Sequence, residues 1–235
     1  NMFAWNLRYP DASTFENMIL WAGNISGPVV LPGTYAVRLN VGGQHFTQPL
    51  TIVKDPRNAA TAGELKEQFD LLMRIREKTS QANDAVKTIR NLKAQLADRG
   101  KRMTGERSAA FARAADDLSS KLSGIEGEIY QVRNQSSQDP LNYPIKLNNK
   151  IAALAGVVGG TDAKPTSQSY TVFNDLSAQL DRQLSVMRDA LLVLPAINTT
   201  LTAAGLPLIV PSTEEIKSAP SRPANSAGEY DEDRQ

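Results

Sequence analysis

The stretch IVKDPRNAATAGELKEQF, residues 52–69, changes its hydrophobic period halfway along and so divides the chain. Before Asp55 apolar and polar residues alternate, which is typical of a half-buried β-strand. After Gly63 the apolar residues recur every three or four positions, as they do on one face of an α-helix. We therefore predict an α+β, multi-domain protein with a β-domain at residues 1–57, a helical domain at residues 58–210 and a polar, acidic tail at residues 211–235.

Upstream of this junction the alternation predicts four strands, at residues 2–9, 15–22, 34–41 and 44–53. Gly42-Gly43 predicts a two-residue hairpin turn, and Pro49 places the last strand at a sheet edge or a bulge because proline has no N–H. Four strands amount to about half of an antiparallel sandwich. We therefore predict a partial immunoglobulin-like β-sandwich, with the remaining strands upstream of Asn1 in a longer protein.

Downstream, the spacing predicts four amphipathic helices: one at about 62–98, one at about 106–133, one between Pro144 and Gly159 with a stripe of Leu147, Ile151, Leu154 and Val158, and one from about 165 to 204. Pro195 is expected to bend or split the fourth. Short connections between amphipathic helices favour an up-and-down four-helix bundle. The second helix has the cleanest apolar stripe, which consists of Phe111, Ala115, Leu118, Leu122, Ile125, Ile129 and Val132.

Composition excludes several classes of function. The 26 Lys and Arg against 25 Asp and Glu leave a net charge of +1, which provides no general attraction for nucleic acid or anionic lipid. The chain has no Cys and one histidine, His45, so thiolate chemistry and a histidine-rich metal site are excluded. No apolar run approaches the roughly 20 residues of a membrane span. We predict no catalytic residue, no cofactor, no metal site, no nucleic-acid partner and no transmembrane segment.

Two groups of residues are candidates for interaction with a partner. Trp5 and Trp21 would offer aromatic faces if they were exposed, to a protein or to a carbohydrate. A basic patch at the connection between the first two helices contains Arg99, Lys101, Arg102 and Arg107. A solvated helix connection is the simpler interpretation of this patch, and the lack of interleaved aromatic residues argues against nucleic acid.

Other motifs have ordinary structural interpretations. His45 follows a turn with no neighbouring acid or nucleophile, Asp55-Pro56-Arg57 is typical of a strand exit fixed by proline, and Asp116-Asp117 lies on the polar side of a helix. The acidic tail has six acids against three bases over residues 212–235, a net −3 that is typical of a disordered segment. Three sequons match the N-glycosylation pattern at Asn24, Asn134 and Asn198.

Several longer segments together resemble a known family. They are NMFAWNLRYPDA, MILWAG, GPVVLPGTYAVRLNVGG, IVKDPR, QFDLLMRI, DPLNYPIKLNNKIAAL and KPTSQSYTVFNDL. This combination resembles the C-terminal region of large bacterial proteins with sortilin-type or Asp-box (BNR) β-propellers, which are often labelled glycosyl hydrolases. The Asp-box signature itself does not occur in the chain, so no propeller residue can be assigned here. The resemblance implies a secreted bacterial protein, periplasmic or extracellular.

We therefore expect a non-enzymatic module that mediates assembly or docking, with a protein partner or an upstream propeller of the same chain. One alternative is an ancillary, carbohydrate-contacting region of a glycoside hydrolase or another carbohydrate-active enzyme whose catalytic propeller lies upstream. Another is a dedicated subunit of a membrane-associated complex. Exposed tryptophans would favour the first alternative, because sugars stack on aromatic faces.

Overall fold

The computed structural model describes residue 2 and residues 4–214, and over these residues the protein is α+β. Two strands, β1 (Gly33–Val41) and β2 (Gln44–Ile52), form one antiparallel sheet. They are followed by α1 (Ala62–Arg102), α2 (Ser108–Ile129), a 3-10 turn at Asp139–Leu141, α3 (Leu147–Val158), α4 (Ser167–Leu191) and α5 (Leu194–Ala203). Both strands of the predicted hairpin and the change of period after Asp55 are confirmed.

The hydrophobic core lies between the helices. Helix α1 packs against α2 and α3, and α4 packs against both α2 and α3. The predicted stripe of α2 is buried from Phe111 to Ile129, whereas Val132 lies beyond the helix and is 51% exposed, so its assignment was wrong. Every α-helix contributes to the largest fully buried side chains, which are Phe111, Leu71, Ile75, Ile89, Leu92, Leu96, Leu118, Leu122, Ile129, Ile151, Leu180 and Leu201.

The ends of the helices follow local chemistry. Helix α1 begins at a capping box, in which the Thr61 hydroxyl accepts from the Glu64 N–H at 3.2 Å and the Glu64 carboxylate accepts from the Thr61 N–H at 2.8 Å. Pro195 lies in the first turn of α5, where backbone N–H groups have no acceptor within the helix, so the lack of an N–H in proline costs no hydrogen bond. The predicted split of the fourth helix is therefore confirmed, and it falls between Leu191 and Leu194.

The capping box gives a first prediction. Thr61→Ala is expected to lower the free energy of unfolding by about 1 kcal/mol, because an orphan N–H of α1 loses its acceptor. The backbone hydrogen bond from Thr61 holds the pKa of Glu64 below its ordinary value. Because the pKa of Glu64 is lower in the folded protein than in the unfolded chain, the ionised carboxylate stabilises the fold at pH values above its unfolded-state pKa. This stabilisation is lost as the pH falls through the folded-state pKa.

Chemical denaturation of the wild type and the variant at neutral and acidic pH measures both effects. The difference between the two proteins should be largest at neutral pH and should shrink as Glu64 becomes protonated, because the variant also loses the hydrogen bond that the Thr61 hydroxyl donates to the Glu64 carboxylate at 2.9 Å, a second cause of the lowered pKa. A difference that stays constant down to the acid side of the Glu64 titration would contradict this explanation.

The first two predicted strands, at residues 2–9 and 15–22, are wrong. The described part of these segments contains one isolated bridge, Arg8 to Val29, and a turn at residues 16–17. Leu7, Asn17 and Ala22 have φ of 59°, 58° and 49°, and this left-handed backbone interrupts an extended strand. Hydrogen bonds between residues 7–12 and 25–30 do occur, but they are too irregular for a ladder. The described residues therefore do not form a four-stranded half sandwich.

Residues 10–24 lie instead on the helical core. Phe15 is buried, contacts the Tyr130 ring edge-on at a centroid distance of 4.9 Å, and lies under the Arg90 guanidinium at 4.8 Å. The Asn83 amide donates to the Ser13 carbonyl at 2.6 Å. This segment therefore shares the hydrophobic core of the helices, while the division of the chain at residue 57 stays a prediction.

Candidate interaction surfaces

The hairpin is formed by a turn that only glycine accepts easily. Gly42 and Gly43 have φ of 54° and 77°, the positive values of a two-residue turn whose twist matches that of the strands. The register then pairs Val41 with Gln44 and continues down to Gly33 with Ile52. Side chains alternate between the two faces of the sheet along both strands.

One face of the hairpin is apolar and exposed. Val37, Leu39 and Val41 of β1 and Phe46 of β2 share it, and their exposed fractions are 51%, 60%, 58% and 52%. The opposite face carries Thr34, Ala36, Arg38, Asn40, His45, Thr47, Pro49 and Thr51. Neither strand packs extensively on a helix. An isolated two-stranded hairpin is at best marginally stable in water, and within the described part of the chain no second layer covers this apolar face.

The base of the hairpin is attached to the rest of the molecule. The Tyr35 hydroxyl donates to the Leu31 carbonyl at 2.7 Å, and the Trp5 ring meets the Tyr35 ring edge-on at 6.2 Å. At the strand exit, Arg57 binds the Asp55 carboxylate through its guanidinium at 2.8 Å and holds the pKa of that carboxyl below its ordinary value. The predicted structural role of Asp55-Pro56-Arg57 agrees with this geometry.

The two candidate tryptophans differ in how they are held. Trp5 is 38% exposed and its indole N–H donates to the Arg8 carbonyl at 3.1 Å. Trp21 is 41% exposed, and the carboxamide of Asn149 bonds both its backbone N–H and its C=O at 2.7 Å. Each ring therefore offers part of its surface to solvent, and Trp5 is held through its indole N–H whereas Trp21 is held through its backbone.

The basic patch at the end of α1 is partly used inside the protein. Arg99 is 15% exposed in its side chain, is paired with Asp98 and donates to the Pro207 carbonyl at 2.9 Å. Arg102 binds the same carboxylate at 3.2 Å, and the hydrogen bond from Arg99 is the main cause of the lowered pKa of Asp98. Within the described residues, Lys101 and Arg107 are exposed and make no ion pair. The structure thus leaves two free cations at this tip rather than four.

The other residues considered in the sequence lie on the surface of the protein. His45 is exposed and its Nδ1 lies 2.6 Å from Oδ1 of Asn40 on the neighbouring strand. Asp116 and Asp117 are exposed on α2. Over the residues that the structure describes, no group of three or more His, Cys, Asp or Glu side chains is placed to hold a metal ion.

Three side-chain amides that the sequence analysis did not predict as functional hold the irregular segment after α5 against the helices. Asn198 bonds both the N–H of Ile209 at 2.8 Å and its C=O at 3.0 Å, and Gln95 does the same for Val210 at 3.0 and 2.8 Å. Further along the same face of α1, the Asn91 amide donates to the Glu214 carbonyl at 2.9 Å. Asn198 belongs to a predicted sequon, and a glycan on its amide nitrogen would remove this contact. No sequence motif marks these amides, because an isolated Asn or Gln on a helix has no pattern.

A cleft of about 300 Å³ lies between residues 28–32, the strand exit and the first turns of α1. Its charged side chains are bonded within the protein. Arg8 donates to the Gly27 carbonyl at 2.9 Å, Arg76 to the Pro10 carbonyl at 2.7 Å, and Lys54 to the Ala60 carbonyl. Neither tryptophan lines this cleft. Its polar groups hold the surrounding loops together.

The last helical stretch has a membrane-like composition. Ser167–Ala203, which includes α4 and α5, is long and apolar enough to cross a membrane by length and composition alone. Core helices of soluble proteins pass the same test, but only 22% of the apolar window is buried here, with Phe173, Leu180 and Leu201 of this stretch in the core. The absence of a transmembrane segment therefore remains a prediction.

No family model, curated protein or solved structure matches this chain. The resemblance to the C-terminal region of sortilin-type and Asp-box propeller proteins thus rests on the sequence segments quoted above. The acidic tail was predicted at residues 211–235, and all but its first four residues lie outside the described part of the chain.

Proposed function

We propose that this chain is a non-enzymatic interaction module that docks onto a protein partner through the apolar face of the β1–β2 hairpin. The observation that carries the proposal is the exposure of Val37, Leu39, Val41 and Phe46 on one face of a sheet that no second layer covers among the residues the structure describes. Burial of apolar area at about 25 cal/mol per Å² would favour docking, after the cost of association is subtracted.

The finer architecture belongs to the same proposal. The hairpin would complete an immunoglobulin-like antiparallel sandwich with strands from a partner or from an upstream region of the same protein. The helices would form an up-and-down four-helix bundle, in which α4 and α5 together make the fourth member. Its rigid core would hold the hairpin at a fixed place through the Trp5 and Tyr35 contact.

The resemblance to secreted bacterial propeller proteins supports a periplasmic or extracellular location, with an upstream propeller as one possible partner. An ancillary carbohydrate-contacting role is favoured by one observation, the partial exposure of Trp5 and Trp21. A subunit role in a membrane-associated complex is favoured by the apolar composition of Ser167–Ala203. Docking through the hairpin is favoured because four apolar side chains, each more than half exposed, share one face, whereas Trp5 and Trp21 are 38% and 41% exposed.

Hydroxyl-radical footprinting tests the docking proposal. We expect Phe46 and Leu39 to react readily in the purified chain of 235 residues and to be protected several-fold in the protein within its native host. Leu192, which is 77% exposed on the helical side, is the internal control and should react equally in both samples. Equal reactivity of Phe46 in the two samples would show that the apolar face has no partner.

A further inference from the structure

The hairpin has two outer edges, and they are not equivalent. We propose, on the basis of the docking function above, that the partner pairs an extended strand with the outer edge of β1. The partner strand would alternate apolar and polar residues and would be continuous with an apolar-faced sheet that covers the hairpin. This mode is β-strand addition, in which backbone hydrogen bonds supply affinity and alternate side chains supply specificity.

The register identifies the free backbone groups. In an antiparallel pair, residues alternate between those bonded to the neighbouring strand and those whose N–H and C=O point outward. Val41 and Gln44 flank the two-residue turn and are a bonded pair, so Leu39, Val37 and Tyr35 also bond inward. The outward groups of β1 therefore belong to Thr34, Ala36, Arg38 and Asn40, and none of them makes a backbone hydrogen bond within the described residues.

The outer edge of β2 is interrupted. Its outward positions are His45, Thr47, Pro49 and Thr51, by the same alternation. Pro49 has no N–H, so a strand added on this side would leave one of its own carbonyls without a donor. The edge of β1 has a complete set of donors and acceptors over the same length. An added strand is therefore better accommodated on β1.

The side chains of β1 define the chemistry of the incoming strand. Its apolar residues would lie beside Val37 and Leu39 and would extend the apolar face. On the opposite face, Arg38 is exposed and makes no ion pair within the described residues, and the hairpin has no carboxylate. A carboxylate on the incoming strand would complement this charge. The expected partner strand is thus apolar on one side and acidic or neutral polar on the other.

Area argues against a second copy of this chain as the occupant. The hairpin face measures roughly 30 Å by 10 Å, or about 300 Å², whereas stable interfaces bury about 800 Å² per partner. Two copies joined through their β1 edges would place both apolar faces on the same side and leave a wider face exposed. Two copies packed face to face would leave both edges unpaired. A partner that supplies an edge strand and a covering sheet satisfies both surfaces.

A pair of matched proline variants tests the choice of edge. Ala36→Pro removes an outward N–H from β1, and Thr47→Pro removes one from β2, while neither removes a hydrogen bond inside the hairpin. The probe is a synthetic peptide as long as β1 in which valine alternates with glutamate and threonine. Amide NMR of the labelled 235-residue chain measures peptide binding. We expect shifts centred on Ala36 and Arg38, about tenfold weaker binding by Ala36→Pro, and unchanged binding by Thr47→Pro.

The inward amides of Val37 and Leu39 report in the same spectra whether the hairpin of each variant is intact. If the Ala36→Pro variant does not form the hairpin, the wild-type chain is tested instead with a peptide methylated on the amide nitrogens that would bond to β1. This methylated peptide should bind the wild type about tenfold more weakly than the unmethylated peptide. Equal weakening by both proline variants, or no binding of the peptide to the wild type, would overturn the proposal. A dimer of the free chain that Ala36→Pro abolishes would also overturn it, in favour of a second copy.

This test is separate from the footprinting experiment. Protection of Phe46 in the native host without any effect of Ala36→Pro would leave docking through the face intact and would reject strand addition at β1. Reactive Phe46 in the native host would reject the docking function itself, whatever the peptide does.

Discussion

Leu92→Ala is expected to lower the free energy of unfolding by about 2–5 kcal/mol, the range for a leucine truncated in a closely packed core. Leu92 lies on α1 with 0% of its surface exposed, among side chains from the other helices. The neighbours of a truncated residue relax only in part, so a cavity remains and adds to the lost transfer energy. Chemical denaturation followed by helical circular dichroism measures the change.

The matched control is the same substitution on the hairpin. Leu39 is 60% exposed, so Leu39→Ala is expected to change the stability of the purified chain by less than about 0.5 kcal/mol. The expected contrast between the two identical substitutions would show that the apolar face of the hairpin does not stabilise the free chain. A loss of more than about 2 kcal/mol for Leu39→Ala would mean that the hairpin face is buried in solution, and would remove the basis of the docking proposal.

Asn83→Ala is expected to destabilise the protein by about 2–4 kcal/mol, because it leaves the buried Asn148 amide without a partner at roughly 1–3 kcal/mol and the part-buried Ser13 carbonyl without one at about 1 kcal/mol. Asn83 has 0% exposure, donates to the Ser13 carbonyl at 2.6 Å and accepts from the Asn148 amide at 3.2 Å. One of its partners lies in the irregular N-terminal segment. We therefore expect the loss to be accompanied by faster proteolysis within residues 13–26 under native conditions.

Asn174→Ala is the control for this experiment. Asn174 is exposed on α4, and alanine is the better helix former, so the variant should be unchanged or slightly more stable. If Asn83→Ala melts like the wild type and shows no new cleavage, the segment is not held on the helices by this amide. A global loss of stability without new cleavage would mean that Asn83 serves the helical core alone.

These predictions bear on function because they separate two parts of the molecule. The helices and the segment around Phe15 share a closed core, whereas the apolar face of the hairpin is exposed and no described residue covers it. In such a module the helical core provides the stability of the fold, and the hairpin provides the contacts with a partner. The remaining surface candidates are smaller, since Arg99 and Arg102 are already paired with Asp98.

Much of the fold could be predicted because the relevant signals are local. The Gly42-Gly43 turn fixes the hairpin register, and the repeat of apolar residues fixes the inward face of each helix, as the burial of Leu118, Leu122 and Ile129 confirms. The candidate surface was predicted less well. Alternation in β1 indicated one buried and one solvated face, but the structure leaves both faces of the strand exposed along most of its length.

The N-terminal segments show why alternation alone misleads. Phe3, Trp5 and Leu7 alternate as they would in a strand, and residues 15–22 are rich in apolar side chains. Ser80, Asn83 and Asn149 bind the backbone of residues 13–21 from the helices, far away in sequence. A backbone whose N–H and C=O groups bond to such distant side chains does not need a neighbouring strand to satisfy them. The local sequence contains no signal that predicts those hydrogen-bond partners.

The sequence by itself determined the elements whose stability is local: the glycine turn, the proline break before α5, the capping box of α1 and the periodic apolar stripes. Only the tertiary structure decided where residues 4–32 lie, which arginines of the basic patch are already paired, and which surface is left uncovered. The reason is physical. Local preferences depend on a few neighbouring residues, whereas burial and hydrogen-bond partnership depend on groups that meet only when the helices pack.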